Sequence, residues 1–345
     1  MSAEKVLVGM SGGVDSSMTA YMLQKDGYEV IGCYMKLHNS RVGYHEKNIE
    51  AGKRVAEFLK IPYHILDLEE EFKAEVYDYF VDEYKKGRTP NPCVKCNRSI
   101  KFGGMYDFAK SLGIAKMATG HYAKTDGEFI YEADDKTKDQ SYFLAQVKKD
   151  VLKSLIFPMA RYKKEDIVKQ AAQIPAIKKI SENKESQEIC FVETVYTDVL
   201  QKHNEIDKAG KVLDLEGNEV GNHKGYMHYT IGKRKGFTVD GAHEPHYVKS
   251  LNPADNTIVV GKKTDLAINA VTLNDLNLYV DIKEFECGIK LRYRTIKTPC
   301  TVTIENGIAK VKLKESVYGV ASGQVAVFYE GEKVLGSGWI LQTTE

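Results

Sequence analysis

Val6-Leu7-Val8-Gly9-Met10-Ser11-Gly12-Gly13-Val14-Asp15-Ser16-Ser17 is the stretch on which the reading of this chain turns. An apolar run stops at a glycine-rich turn, and helix-compatible sequence follows at once. Such a turn points successive backbone N–H groups, and the positive end of a helix, at one place where a phosphate can sit. Gly12 and Gly13 permit positive φ and put no side chain between backbone and ligand. The Gly-Lys-Ser/Thr of a Walker A loop is missing, and so is the Gly-x-Gly-x-x-Gly spacing of a dinucleotide fold. Asp15 offers the hard carboxylate oxygen that Mg2+ prefers, while Ser11, Ser16 and Ser17 offer hydroxyls. The plainer alternative is a strand–turn–helix corner whose Ser and Asp only cap the helix. Caps do not need two adjacent glycines.

Working outward, residues 5–10 read as a strand and 16–26 as a helix stopped by Gly27 at its C′ position. Residues 28–37 and 63–68 read as further strands, with a helix over 46–60 between them. Residues 69–86 form one long amphipathic helix with Phe72, Val76, Tyr79, Phe80 and Tyr84 on one side. Another helix spans 100–112 and leads into a strand ending at Met117-Ala118-Thr119-Gly120. This alternation predicts an α/β doubly wound parallel sheet, with ligands beyond the carboxyl ends of its strands. The turn over 9–17 and Gly120-His121 should share that rim.

After about residue 204 glycines recur among short apolar runs, which predicts a small mixed domain over 205–264. From 265 to 345 the chain alternates as strands do, in Ile289-Lys290-Leu291-Arg292-Tyr293-Arg294 and three similar runs. Asn306-Gly307 between two of them is a type I′ hairpin signal. Such strands without helices predict a small β-barrel. The division expected is therefore 1–204, 205–264 and 265–345.

The 345 residues carry a net charge of +1, so any nucleic-acid surface must be a local patch. No apolar run is long enough for a membrane span. Strand-like sequence begins at Lys5, which leaves no room for a leader and predicts a cytoplasmic protein. In that reducing setting the six cysteines are not a disulfide scaffold. Cys33 reads as a buried strand residue, and Cys287 and Cys300 as structural. Cys93, Cys96 and Cys190 remain. The first two follow Pro90-Asn91-Pro92 as a Cys-x-x-Cys, with a helix expected a few residues later. That helix end, with Lys95 and Arg98, should lower the thiol pKa. A structural zinc site would need a second Cys pair.

Ser-Gly-Gly-x-Asp-Ser resembles the loop of the ATP pyrophosphatase (PP-loop) family, which splits ATP between its α and β phosphates. Activating an amide-like carbonyl oxygen with AMP makes it a leaving group, and sulfur borne on a thiol can then replace it. Further motifs narrow the resemblance. Thr89-Pro90-Asn91-Pro92-Cys93-Val94-x-Cys96-Asn97, Gly120-His121-Tyr122-Ala123, Lys138-Asp139-Gln140-Ser141-Tyr142-Phe143-Leu144 and Gln187-Glu188-Ile189-Cys190-Phe191 are similar to the tRNA-specific 2-thiouridylase family. So are Thr230-Ile231-Gly232-Lys233-Arg234-Lys235-Gly236, Leu291-Arg292-Tyr293-Arg294 and Gly323-Gln324-Val325-Ala326-Val327-Phe328, in the family's order over nearly the whole chain.

The resemblance implies 2-thiolation of the wobble uridine of tRNA (Lys, Glu and Gln acceptors), with ATP, Mg2+ and a sulfur carrier or cysteine desulfurase. It implies ATP binding by Gly9, Met10, Ser11, Gly12, Gly13, Val14, Asp15, Ser16, Met35 and Gly120, Asp15 serving Mg2+. It makes Cys96 the nucleophile and Cys190 the persulfide carrier. Asn91, Pro92 and Cys93 match the part that meets the target base. His121, Lys138, Asp139, Gln140, Arg292, Tyr293 and Gln324 match tRNA contacts. Two departures stand out. Many relatives have Asp where this chain has Cys93, and the three thiols Cys93, Cys96 and Cys190 could instead hold a [4Fe–4S] cluster. The loop after the second strand is also shorter than expected. Rival readings are another AMP-forming ligase or amidotransferase, a thiolase acting on a different uridine, and an RNA-binding or iron–sulfur protein without catalysis. Among basic residues, Lys233, Arg234, Lys235, Arg292, Arg294 and Lys297 are the phosphate candidates, and His121 and Tyr293 could stack on or shape an extruded base.

Overall fold

The structure, a computed structural model, describes residues 3–182 and 189–345. Gln187 and Glu188 of the motif before Cys190 lie outside the described residues. The chain divides into two compact units: Met1–Val76 with Cys93–Glu193 and Glu332–Val334, and Tyr77–Pro92 with Thr194–Gly331 and Leu335–Glu345.

The first unit is built on strands β1 (Lys5–Gly9), β2 (Glu29–Lys36), β3 (Tyr63–Asp67), β4 (Lys116–Ala118) and β7 (Leu155–Ile156). They form one parallel sheet in the order β3-β2-β1-β4-β7. Side chains alternate across a strand, so β1 feeds two layers. Val6, Val8 and Met10 join a cluster with Met18 and Leu23 of α1 (Val14–Lys25) and Val55 and Leu59 of α2 (Tyr44–Leu59). Gly9 points the other way, where a Cβ would stand 3.2 Å from the Met105 sulfur. Helices therefore cover both faces, as the doubly wound reading requires. Gly27, at φ +90°, ends α1 as expected, and Lys60, at φ 56°, ends α2 in the same left-handed way. A hairpin of β5 (Ala123–Thr125) and β6 (Ile130–Glu132), absent from the sequence reading, follows β4.

The helix expected over 69–86 contains a π turn, Lys73–Tyr77, between Glu69–Phe72 and Asp78–Lys85. The helix expected from residue 100 begins earlier, at Pro92, the first-turn position proline suits. It runs through a π segment, Asn97–Gly104, into Met105–Ser111. Cys93 and Cys96 thus lie on a helix rather than ahead of one.

In the second unit β8 (Gly210–Leu213), β9 (Glu219–His223), β10 (Tyr247–Asn252) and β11 (Thr257–Gly261) make a mixed sheet, with β8 and β11 parallel. The strands β12 (Ala267–Leu278), β13 (Glu284–Lys290), β14 (Thr298–Glu305), β15 (Ile308–Tyr318), β16 (Val325–Glu330) and β17 (Lys333–Thr344) follow. β12 bonds to both β15 and β17, which closes a six-stranded barrel. Asn306 and Gly307 have φ of 50° and 74°, both positive as a type I′ turn demands. One expected strand is cut short. β13 stops at Lys290, because Arg292 turns the chain with its carbonyl accepting the Thr295 hydroxyl at 2.8 Å. Cys287 and Cys300 face each other across β13 and β14, their sulfurs 3.6 Å apart.

Candidate functional site

The glycine turn leaves β1 at the point where strand order reverses between β1 and β4, the crevice in which such sheets hold ligands. Its two glycines do different work. Gly12 has φ +79°, and a Cβ there would meet the Asn48 carbonyl oxygen at 2.7 Å, so the protein itself demands glycine. Gly13 corrects the sequence reading: its φ is −92°, an ordinary extended value. A Cβ on it would approach only the Ser11 hydroxyl, at 3.6 Å. Nothing in the protein requires that glycine, whereas a ligand lying against the backbone would. Gly13 is also the N-cap of α1, and no side chain caps the helix. The capping alternative therefore fails, and the helix end is left for an anion.

Not all the predicted hydroxyls face outward. Ser17 is fully buried and donates to the Gly13 carbonyl at 2.9 Å. Ser16 donates to the same oxygen at 3.0 Å and accepts the Ser11 N–H at 3.1 Å, bracing the loop. Ser11 stays exposed. Met35 lies beside Gly9, where a Cβ would come within 3.5 Å of its methyl. Gly120 packs on the Asp15–Ser16 peptide so tightly that a Cβ would stand 2.9 Å from it.

Asp15 has partners that sequence reading missed. Its two carboxylate oxygens accept the Lys164 ammonium at 2.7 and 2.6 Å, and one also accepts the Tyr122 hydroxyl at 3.0 Å. Lys164 is only 7 % exposed and opens the helix Lys164–Ala171. A lysine at a helix N-terminus opposes the helix dipole, and that misfit was the readable signal. The uncapped N-terminus of α1 offers donors that suit the phosphates of ATP. Mg2+ would take Asp15 only by displacing Lys164.

The second group lies on the helix from Pro92. Cys93 is exposed, Cys96 buried and Cys190 intermediate. Lys95 and Arg98 do not serve the thiols as expected: Lys95 pairs with Glu75 at 3.3 Å, and Arg98 donates to Gln146 at 2.8 Å. The cation that acts on them is Lys101. Burial nevertheless wins, and it reverses the predicted direction. It pushes the Cys96 thiol up to about 11 and the Cys190 thiol to about 12, with Lys101 opposing each rise. Cys96 also feels Cys93, and Cys190 feels both, so the three thiols share one neighbourhood. Burial, helped by Lys101, holds His121 well below the usual imidazole range, hence neutral. Its Nδ1 shares a hydrogen bond of 2.8 Å with Thr119, and its ring lies 5.7 Å from that of Phe102.

Cys190 sits on a tight turn, with Val192 N–H donating to the Ile189 carbonyl at 2.9 Å. Arg41, in the loop after β2, clamps that turn by donating to the Val192 carbonyl. Among the described residues, no three His, Cys, Asp or Glu side chains are grouped closely enough to hold a metal ion. The three thiols, near as they are, do not fit a [4Fe–4S] cluster.

The tRNA candidates divide between the units. In the first, Asp139 is 4 % exposed, its carboxylate accepting the Ala133 and Ser141 N–H groups and the Ser141 hydroxyl. It shapes its loop rather than meeting solvent. Gln140 accepts the Tyr122 N–H at 3.0 Å, and Lys138 is half-buried. In the second unit, Gln324 donates to the Thr89 and Pro90 carbonyls, both at 3.0 Å, and accepts Asn91 at 3.4 Å. It thereby shapes the stretch that leads to Pro92. Arg292 donates to the Ile231 carbonyl at 3.4 Å, and Tyr293 is half-buried. Two phosphate candidates turn inward: Lys233 donates to the His228 carbonyl and Lys297 to that of Gly331, both at 2.6 Å. Arg234, Lys235 and Arg294 remain exposed. Among the described residues no helix is long and apolar enough to cross a membrane.

A parallel sheet with an uncapped glycine cradle at its switch point defines a HUP-type nucleotide domain. Family models agree: residues 4–194 match the tRNA methyl transferase HUP domain, 197–262 the tRNA methyl transferase PRC-barrel domain, and 268–340 the aminomethyltransferase beta-barrel domain. The chain is 65 % identical to tRNA-specific 2-thiouridylase MnmA 1 of Aliarcobacter butzleri, over 99 % of this chain and 100 % of that one. It is 58 % identical to its namesake in Sulfurimonas denitrificans, over 98 % and 99 %. For that of Campylobacter jejuni strain RM1221 the figures are 56 %, over 97 % and 99 %. The chain belongs to the tRNA-specific 2-thiouridylase MnmA family.

Proposed function

We propose that this chain is an ATP-dependent tRNA-uridine 2-sulfurtransferase acting on the wobble position. One observation carries the reading: the phosphate cradle and the thiols are joined by two consecutive residues. Gly120 lies against Asp15 and Ser16, and His121 shares Lys101 with Cys93, Cys96 and Cys190. The residue that closes the cradle is therefore followed directly by one that shares a cation with the thiols.

Phosphates of ATP would rest on the open N-terminus of α1, with Asp15 exchanging Lys164 for Mg2+. The uridine C2 oxygen takes AMP and releases pyrophosphate. Cys190, loaded as a persulfide by a sulfur carrier or cysteine desulfurase, attacks C2 with its terminal sulfur, and AMP leaves with the bonding pair. The Cys96 thiolate then attacks the Cys190 sulfur. A Cys96–Cys190 disulfide forms, the second sulfur stays on C2 as the thiocarbonyl, and a dithiol reductant resets the pair. Neutral His121 would shape the pocket for the extruded base, and by the family resemblance Asn91-Pro92-Cys93 is the stretch that meets that base. The division 1–204, 205–264 and 265–345 belongs to the same reading, supported by the parallel sheet in the first part, the mixed sheet β8–β11 in the second and the strands β12–β17 in the third.

Purified protein given ATP, tRNA, a cysteine desulfurase and cysteine should yield 2-thiouridine with equimolar AMP. Absence of both products overturns the reading. Cys190→Ser should abolish 2-thiouridine while ATP binding persists, and normal thiolation in that variant removes the persulfide role.

A further inference from the structure

Lys101 owes its place to the π segment. In an α-helix, residue i+5 stands about 140° round from residue i. In π register the i→i+5 bond brings it back above residue i. Here Met105 N–H reaches to the Ile100 carbonyl, five residues earlier, and the segment starts at Asn97. Lys101 is five residues beyond Cys96, and Cys93 is one helical turn before it, so the segment gathers them on one side. The next residue, Phe102, is in ring contact with His121. The other cations of this helix are engaged, Lys95 with Glu75, Arg98 with Gln146 and Lys110 over the Tyr106 ring. Among the described residues, no carboxylate pairs with Lys101.

We propose that Lys101 is the positioning cation of sulfur transfer, steadying whichever sulfur of Cys96 or Cys190 carries negative charge as the atom is handed on. This rests on the sulfurtransferase reading above. Cys93 raises Cys96 and both raise Cys190, while the Lys101 charge opposes the rise at each, so a negative sulfur in this group gains from the cation that the π register sets beyond Cys96. Lys101 acts through the sulfurs and touches no reacting carbon.

The test measures alkylation of Cys96 and Cys190 by iodoacetamide against pH, resolved by peptide mass spectrometry, on the full chain without ATP or tRNA. Lys101→Met should move both midpoints up by about one pH unit. At pH 8 alkylation should then be about tenfold slower. The pH profile of 2-thiouridine formation should move in the same direction, and Lys101→Arg should restore both. A folded Lys101→Met protein with the unaltered alkylation profile overturns the role, even if thiolation is lost. Should the Met variant melt early, Lys101→Gln serves with the same readings. Failure of the unaltered protein to thiolate would instead sink the sulfurtransferase reading, and the alkylation result would stand apart from it.

Discussion

Breaking the Asp15–Lys164 pair should cost stability unequally from its two sides. The Lys164 ammonium lies 2.6 Å from the carboxylate, with 9 % of its side chain exposed against 30 % for Asp15. Exposed ion pairs are worth about 0–1 kcal/mol, and losing one partner of a fully buried pair costs about 3–5 kcal/mol. This pair falls between, so a coupling of about 2 kcal/mol is expected. Asp15→Asn leaves a nearly buried ammonium without its counter-charge. Lys164→Met leaves a carboxylate that keeps the Tyr122 hydroxyl and the positive end of α1, and it can hydrate. The aspartate variant should therefore be the less stable one. The assay is a double-mutant cycle in urea without nucleotide, read by hydrogen exchange of the β1 amides so that only the first unit is followed. Additivity within about 0.5 kcal/mol would refute the pairing, and so would a costlier lysine variant.

Three further outcomes are expected. Gly12→Ala should destabilise by about 2 kcal/mol or more, from its left-handed φ and its close approach to Asn48, whereas Gly13→Ala should fold normally and bind ATP poorly by calorimetry. Burial, then His45 and Arg41, lowers the His38 imidazole from 6.5 to about 4. The unfolded chain binds that proton first, so stability present above pH 6.5 falls toward pH 4, by at most about 3 kcal/mol; an unchanged acid slope in His38→Asn would contradict this. Protein purified without oxygen should retain activity and contain no stoichiometric iron, whereas iron that is lost together with activity in Cys93→Ala would reverse the judgement on cluster fit.

The strand–glycine–helix corner and the Asn306-Gly307 hairpin were legible because both are local: a few backbone angles and a short apolar pattern decide them. The parallel sheet followed from alternation of elements. What sequence hid was side-chain direction and long-range pairing. Lys164 meets Asp15 across 149 positions, a contact no spacing rule carries. Lys233, Lys297 and Asp139 look like surface groups by type, but backbone carbonyls and N–H groups claim them. The π segment after Cys96 adds one residue to a turn, too small a change for hydrophobic periodicity to reveal, and it decides which lysine faces the thiols.

Closure of the barrel has a consequence for synthesis. β12 gains its second partner only from β17, residue 270 meeting residue 344 and residue 278 meeting residue 336. Until the ribosome releases that stretch, the nascent ring hangs open with two unsatisfied margins, the kind of surface on which chains stick to one another. A reading-frame error just upstream of β17 should therefore be felt first as insoluble protein, with loss of catalysis a secondary symptom.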